Sequence, residues 1–400
     1  MTRKPPRVVV VGAGVAGSLV ASGLAGRDDV EVVCLEKVDS AGQSDAGTGL
    51  NIGPNAIKSL ASVMPERAEA IVADSLPWRR WTIGCTDGRQ LMDLPLEAVA
   101  DNFGIRIRWS ELYALLRAPI AGNIVYGAEL LACGLDEGSL FVRYADIRAG
   151  VEETIADIDL LISSDGRYSR IREHFCGKEE PNFLGVCLYR ILFPVGPDCP
   201  IDDYGQWFNG PNRLLAFRVP GDLVYCAGSF PLPADGVIRD EMKSAEALRR
   251  CHTPSDGPAS RECEFLIEAT VRHVDRVHWA RVQEGSVRYA AGPGVLLVGD
   301  AAHPMAPTLG QGATQAVEDA CVVVDEVRKA LRSGEGLDLI PARVDARRRE
   351  RAQFVVDFSR DATDTMLAGA DPIAGTLEKL EPPFQNRLVR LYRDAPMASA

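Results

Sequence analysis

Gly12-x-Gly14-x-x-Gly17 stands directly after a β-branched run, Arg7-Val-Val-Val-Val11, and opens an apolar stretch that predicts a helix from about Gly14 to Gly26. A strand is predicted next, over Glu31 to Leu35, with Glu36 at its end. Strand, glycine-rich turn, helix and strand make a βαβ unit with a right-handed crossover, which commits the chain to an α/β fold built on a parallel sheet. In such a unit Gly12 permits the tight turn, Gly14 lets the backbone approach a pyrophosphate at the helix N-terminus, and Gly17 allows close helix-strand packing. Ala13, Val15 and Ala16 complete the cradle. Glu36 is placed to accept hydrogen bonds from a ribose, with Lys37 beside it. The motif predicts a dinucleotide site without separating NAD from FAD.

The same segment has a rival reading. Val8 to Gly26 carries no charge and follows Thr2-Arg3-Lys4, the outline of a signal peptide or a short membrane span. Its glycines at 12, 14, 17, 23 and 26 follow the nucleotide pattern instead. A cytoplasmic protein without a membrane span is therefore expected. The ten cysteines include no Cys-x-x-Cys pair and the five histidines lack ligand spacing, so reduced thiols and no bound metal are expected. A net charge of −12 argues against a nucleic-acid partner.

At 400 residues the chain exceeds one growing core, so two domains are expected. From Leu184 to Phe230 short aromatic-rich alternating segments, such as Leu214-Leu-Ala-Phe-Arg218 and Leu223-Val-Tyr-Cys-Ala227, predict an antiparallel sheet. Buried-strand texture returns at Val295-Leu-Leu-Val298, before a long helix predicted from about Thr314 to Leu331. The architecture expected is a Rossmann-like α/β domain (1–75, 100–180 and 281–330) interrupted by an antiparallel-sheet substrate domain (76–99 and 181–280), then C-terminal helices (331–400). The helix predicted over Ala342 to Leu367 is expected to present Arg347, Arg348, Arg349 and Arg351 to solvent. His252, in a Pro-rich loop, is expected at the surface.

Three further segments carry chemistry. Gly299-Asp300-Ala-Ala-His303-Pro304-Met-Ala-Pro307-Thr-Leu-Gly310-Gln-Gly312-Ala313 precedes the long helix; Asp159-Leu-Leu-Ile-Ser163-Ser164-Asp165-Gly166-Arg167 follows a strand pattern; Gly47-Thr-Gly49-Leu-Asn51-Ile-Gly53-Pro54-Asn55 lies after the second strand. In this order and at these intervals they resemble the single-component FAD-dependent aromatic hydroxylases, the family of para-hydroxybenzoate and salicylate hydroxylases. The resemblance covers nearly the whole chain. It implies that Gly299 and Asp300 hold the ribityl chain of FAD, that Pro307 and the Gly310 to Gly312 turn with Ala313 lie against the isoalloxazine ring, and that Gly49, Asp165 and Gly166 border the cofactor. Glu318 and Asp319 read equally well as plain surface acids.

The chain departs from the family pattern twice. Ser163-Ser164 replace Gly-Ala before Asp165-Gly166. Trp109 stands where the family places an FAD-contacting arginine, with Arg108, or Arg106, as its nearest substitute.

The reaction implied is hydride transfer from NAD(P)H to FAD, addition of O2 to give a flavin C4a-hydroperoxide, and oxygen transfer to a small phenolic or hydroxypyridine-type aromatic acid, with or without decarboxylation. Candidate substrate-side residues are Asn51, Arg218, Tyr225, Pro307 and Thr308, together with Met305. A monomer or homodimer is expected. Two alternatives remain: a flavin-binding redox protein without turnover, and a flavin halogenase, whose Trp-x-Trp-x-Ile-Pro segment is absent here.

Overall fold

The structure, a computed structural model, describes residues 4–40 and 48–399. Thr2, Arg3 and Gly47 lie outside them. The run at the start of the chain forms the strand Arg7–Val11, whose four valines are all buried. It pairs in parallel with Glu31–Glu36 on one side and Leu160–Ser163 on the other. Val295–Leu297 adds in parallel beside Leu160–Ser163, and Ile124–Tyr126 beside Glu31–Glu36, so a late segment does complete the first sheet. The short strand Ala290–Gly292 closes one edge in antiparallel fashion.

A seven-stranded sheet takes its strands from two parts of the chain, in the order 278–284, 182–194, 223–231, 212–219, 204–209, 80–85 and 90–95. All its pairings are antiparallel except that of Tyr204–Asn209 with Arg80–Cys85. A small sheet is made of Gly49–Ile52, Gly104–Arg108 and Leu76–Trp78. A further antiparallel sheet is made of Ala128–Asp136, Ser139–Asp146 and Val151–Ile158.

The long helix runs Gln311–Ser333 and is buried on every side from Thr314 to Val327. It packs on the helices Val15–Leu24, Pro54–Val63 and Ile340–Asp361. The last of these overturns one expectation. Arg348 is 0% exposed, not solvated, and its guanidinium donates to Asp319 Oδ1 (2.8 Å), Glu318 Oε2 (2.6 Å) and Gln315 Oε1 (2.7 Å). Arg351 donates to both oxygens of Glu318 at 2.7 Å, and Arg347 to Asp325 and Glu326 at 2.6 Å. Of the four, Arg349 alone is more than half exposed, with a side chain 56% accessible. Positions 344, 348, 352 and 355 share one helix face, so Arg348 is carried inward with Val344, Ala352 and Val355. Its counter-charges, Glu318 and Asp319, are likewise fully buried, which excludes the surface-acid reading.

His252 is also inside. It is the last residue of the helix Ala245–His252, with Nε2 2.6 Å from the Tyr189 hydroxyl, and burial pushes its pKa down to about 3.

Candidate active site

The C-terminal ends of the parallel strands bring the glycine turn, the Asp165 segment and the Asp300 segment together, as open α/β sheets do with their ligand sites. At Gly12 φ is +98°, and a Cβ there would lie 2.2 Å from the carbonyl oxygen of Ser164. A Cβ on Gly17 would lie 2.0 Å from Gly12 O. These two glycines are demanded by the protein's own packing. Gly14 differs: nothing lies nearer than 4.0 Å to its Cβ position. It caps the helix Val15–Leu24, whose N-terminus has no side-chain cap. The open space at Gly14 and the uncapped helix end fit a pyrophosphate.

Glu36 is buried; Oε2 accepts from Ala13 N (2.7 Å) and Oε1 from Val38 N (3.1 Å). It therefore braces the turn, and each oxygen keeps a lone pair for a further donor. Lys37 is exposed. Ser164 Oγ accepts from Gly17 N (3.0 Å), and Ser163 Oγ donates to Asp165 Oδ1 (2.5 Å), so the two serines that depart from the family pattern stitch the segments together. Asp165 Oδ2 accepts from Arg170 N (3.0 Å), which directs this carboxylate to its own loop, whereas Gly166, at φ +85°, has nothing within 4 Å of its Cβ position.

The arginine candidates are redistributed. Arg106 is buried but donates to Pro77 O (2.9 Å from Nη2) and to Asp202 O, on the side of the seven-stranded sheet, so it does not stand in at the glycine turn. Arg108 pairs with Glu111. Trp109 opens the helix Trp109–Arg117 and its ring lies 5.0 Å from that of Tyr113. Arg117, at the other end of that helix, is the residue that reaches the turn: Nε and Nη2 donate to Ala13 O (3.0 and 2.8 Å), Glu36 lies at 3.5 Å, and Nη1 is buried without a partner. Tyr113, one turn earlier on the same helix face, stacks its ring 4.5 Å from the guanidinium. Burial raises the Tyr113 phenol to about 12, opposed by Arg117 and reinforced by Glu36 and Asp300.

Asp300 has no hydrogen-bond partner among the described residues, and its Oδ1 lies 3.7 Å from the Cβ position of Gly312. The segment around it is held from behind. Asp319 Oδ2 accepts from Gly299 N (2.8 Å) and lies 2.6 Å from His303 Nε2, while Oδ1 accepts from the Tyr289 hydroxyl (2.7 Å). Burial opposes ionisation of Asp319, yet His303, Arg348 and the Gly299 N–H hold its carboxyl well below the usual range. Gly310, at φ +64°, caps the helix Gln311–Ser333, again with no side-chain cap, so Gly312 and Ala313 present free N–H groups at a positive helix end. A Cβ on Gly310 would meet Asn51 Nδ2 at 2.7 Å, and Gly53 N donates to Thr314 Oγ1 (3.0 Å), which ties the Gly49 to Asn55 loop to this helix end. Free Asp300, open Gly14, orphaned Arg117 Nη1 and two bare helix N-termini together fit FAD.

On the substrate side, Tyr225 packs against Gly49, whose Cβ position lies 2.7 Å from Tyr225 Cβ, and its ring lies 4.9 Å from that of Phe217. Burial raises its phenol to about 12. Arg218 falls on the opposite face of the strand Asn212–Val219 from Phe217 and pairs with the exposed Asp222 at 3.2 Å, so it is not brought to this wall. Pro307 is exposed, Met305 is buried, and the Thr308 hydroxyl lies 2.7 Å from that of Thr363. Arg167, unassigned on its own in the sequence, donates to Gln283 O (2.8 Å) and Met305 O (3.2 Å), joining the Asp165 segment to the flavin segment.

Comparison with known proteins agrees with this geometry. A family model described as an FAD binding domain matches residues 264–359. The chain is 27% identical over 328 residues to 6-hydroxynicotinate 3-monooxygenase of Bordetella bronchiseptica, covering 80% of this chain and 82% of that protein. It is 28% identical over 341 residues to 3-amino-4-hydroxybenzoate 2-monooxygenase PtmB3 of Streptomyces platensis, covering 80% and 79%. Klebsiella pneumoniae HpxO, solved with FAD and uric acid, superposes with a TM-score of 0.80 at 20% identity, over 97% of this chain and 96% of that one, a likeness of fold.

Proposed function

We propose that the chain is an FAD-dependent aromatic hydroxylase, acting on a small phenolic or hydroxypyridine-type ring seated between the Tyr225 wall and the Asn51 to Gly310 corner. The observation that carries this reading is the packing of Tyr225 on Gly49, which sets a half-buried tyrosine of the antiparallel sheet against the loop after the second strand. Similarity to hydroxylases of hydroxynicotinate and aminohydroxybenzoate supports the ring class. Bound FAD supplies reductive activation of O2, with NAD(P)H as hydride donor.

The chain's own residues do the positioning. The Gly12 to Gly17 turn, Glu36 and Arg117 hold the dinucleotide end, and Asp300 accepts hydrogen bonds from the sugar chain. The bare N-terminus at Gly310, Gly312 and Ala313 favours negative charge on the ring that it faces. Tyr225 hydrogen-bonds the substrate's ring oxygen; the elevated pKa keeps its proton on, so it donates and thereby stabilises the ionised, more nucleophilic ring. Burial by Phe217, Met305 and Leu309 excludes water.

The test is a panel of aromatic acids assayed for stimulated NADH oxidation, coupled O2 uptake and a product heavier by one oxygen atom. Oxidation without a hydroxylated product in any case would favour the redox-protein alternative. Tyr225→Phe is expected to lower substrate-dependent turnover or raise KM by about 1–3 kcal/mol equivalent, the cost of one buried unpaired partner, with FAD content unchanged. Parent-like kinetics in that variant would reduce Tyr225 to a packing residue. Asp300→Ala is expected to fold normally, since the carboxylate makes no protein hydrogen bond, and to release FAD on gel filtration under conditions where the parent stays yellow.

A further inference from the structure

Trp109, Tyr113 and Arg117 follow one another at one-turn intervals along the helix Trp109–Arg117, so a single face carries all three. They also touch in order: the Trp109 ring lies 5.0 Å from that of Tyr113, and the Arg117 guanidinium 4.5 Å from the Tyr113 ring. This helix packs on Val15–Leu24, the helix that the glycine turn opens. Its two ends are pinned at opposite ends of the cofactor site. Trp109 N donates to Thr48 O (3.1 Å), one residue before Gly49, whereas Arg117 donates to Ala13 O and lies 3.5 Å from Glu36. From 109 to 117 the helix rises about 12 Å, close to the combined length of a ribityl chain and a pyrophosphate.

The face is short of acceptors. Arg117 is 5% exposed and its Nη1 is buried without a partner, although a buried arginine with a purely structural role satisfies its donors within the protein. The Tyr113 hydroxyl makes no hydrogen bond among the described residues, and its ring is half-buried. Burial raises the phenol to about 12, and the charges of Arg117, Glu36 and Asp300 all reach it, which sets Tyr113 between the glycine turn and the Asp300 turn. It therefore keeps its proton and serves as a neutral donor. Trp109, uncharged, has only an aromatic surface and an indole N–H to offer at the end of the helix nearest Gly49.

We propose that these three side chains form one wall of the FAD groove: Arg117 Nη1 donates to the pyrophosphate, the Tyr113 hydroxyl to the junction of phosphate and ribityl chain, and the Trp109 ring lies beside the flavin ring and quenches its emission. The proposal rests on the FAD reading above and assigns the stretch between the glycine turn and Asp300. The guanidinium so enters the groove two turns beyond position 109, and an aromatic pair fills the space between it and the flavin ring. An indole in contact with a flavin quenches it by transient electron donation to the excited ring, which then returns the electron; a phenyl group is too poor a donor to do so.

The experiment uses the FAD-loaded protein and reads the emission of bound flavin and the rate of FAD loss on dilution. Tyr113→Phe keeps both ring contacts and removes only the hydroxyl, so FAD is expected to leave about 2- to 10-fold faster, the range for one hydrogen bond. Trp109→Phe is expected to brighten bound flavin severalfold, a change that a packing role alone would not produce. Arg117→Met is expected to lose FAD about 10- to 100-fold faster, as for a charged contact, and to lose the acceleration by salt that the parent shows. Arg117 also ties its helix to Ala13 O, so if this variant fails to fold, the two aromatic variants decide. FAD loss at the parental rate from Tyr113→Phe, or parental emission in Trp109→Phe, overturns the wall and leaves FAD at the glycine turn in place. A parent that takes up no FAD overturns the FAD reading with it.

Discussion

Arg348→Ala is expected to lower stability by about 3–5 kcal/mol, the cost of breaking a buried ion pair from one side. That is a large part of the roughly 5–15 kcal/mol that holds a typical native protein together. The substitution strips Glu318 and Asp319 of their common partner inside a helix bundle with no route to water. Its effect reaches the cofactor site, because Asp319 also holds Gly299 N and His303, the two ends of the turn that carries Asp300. Thermal melting followed by flavin fluorescence should therefore show FAD release along with the loss of structure. Arg349→Ala, one residue on, pairs only with Asp345 at the surface and should stay within about 0.5 kcal/mol of the parent. Comparable effects of the two substitutions would mean that the buried network does not stabilise the fold.

The same network sets an acid limit. Glu318 and Asp319 are both held below the ordinary carboxylate range, against the opposing effect of burial, by Arg351 and Arg348 for Glu318 and by His303 and Arg348 for Asp319. A depressed folded-state pKa contributes stability that is fully present above the unfolded value, about 4, and that is lost as pH falls from there through the folded value. The parent's melting temperature should therefore drop below about pH 4. In Arg348→Ala the folded values rise, so the decline begins at higher pH.

Gly12→Ala and Gly14→Val are expected to fail in different ways, and the contrast tests the cofactor turn. Alanine at 12 places a Cβ 2.2 Å from a backbone oxygen at φ +98°, a clash that backbone cannot relieve without separating the strands Arg7–Val11 and Leu160–Ser163. That variant should be insoluble or melt far below the parent. Valine at 14 meets no protein atom nearer than 4.0 Å from its Cβ and should leave the apo fold intact by circular dichroism. It fills the space a pyrophosphate needs, so the purified protein should be colourless and should not take up added FAD. A yellow, fully loaded Gly14→Val would remove the dinucleotide from this turn.

What was legible in the sequence was whatever rests on local backbone chemistry. Valine runs, a glycine turn and a carboxylate about twenty residues on dictate a βαβ unit because each acts over a few residues, whereas FAD followed from the family resemblance of the Asp300 to Gly312 segment, whose glycine-freed helix end suits that cofactor. The antiparallel texture from Leu184 to Phe230 was equally local. Tertiary structure decided which charges are inside. Arg348 and Glu318 lie 30 residues apart, and burial of a charge depends on whether packing delivers a partner across that distance. So the arginines of the Ile340–Asp361 helix read as a solvated face, the acids at 318 and 319 equally well as surface acids or cofactor neighbours, and His252 as exposed, while all but Arg349 are buried or paired within the core. Arg117 went unseen for the same reason: nothing in the residues around it says that the end of the helix Trp109–Arg117 comes to rest on Ala13.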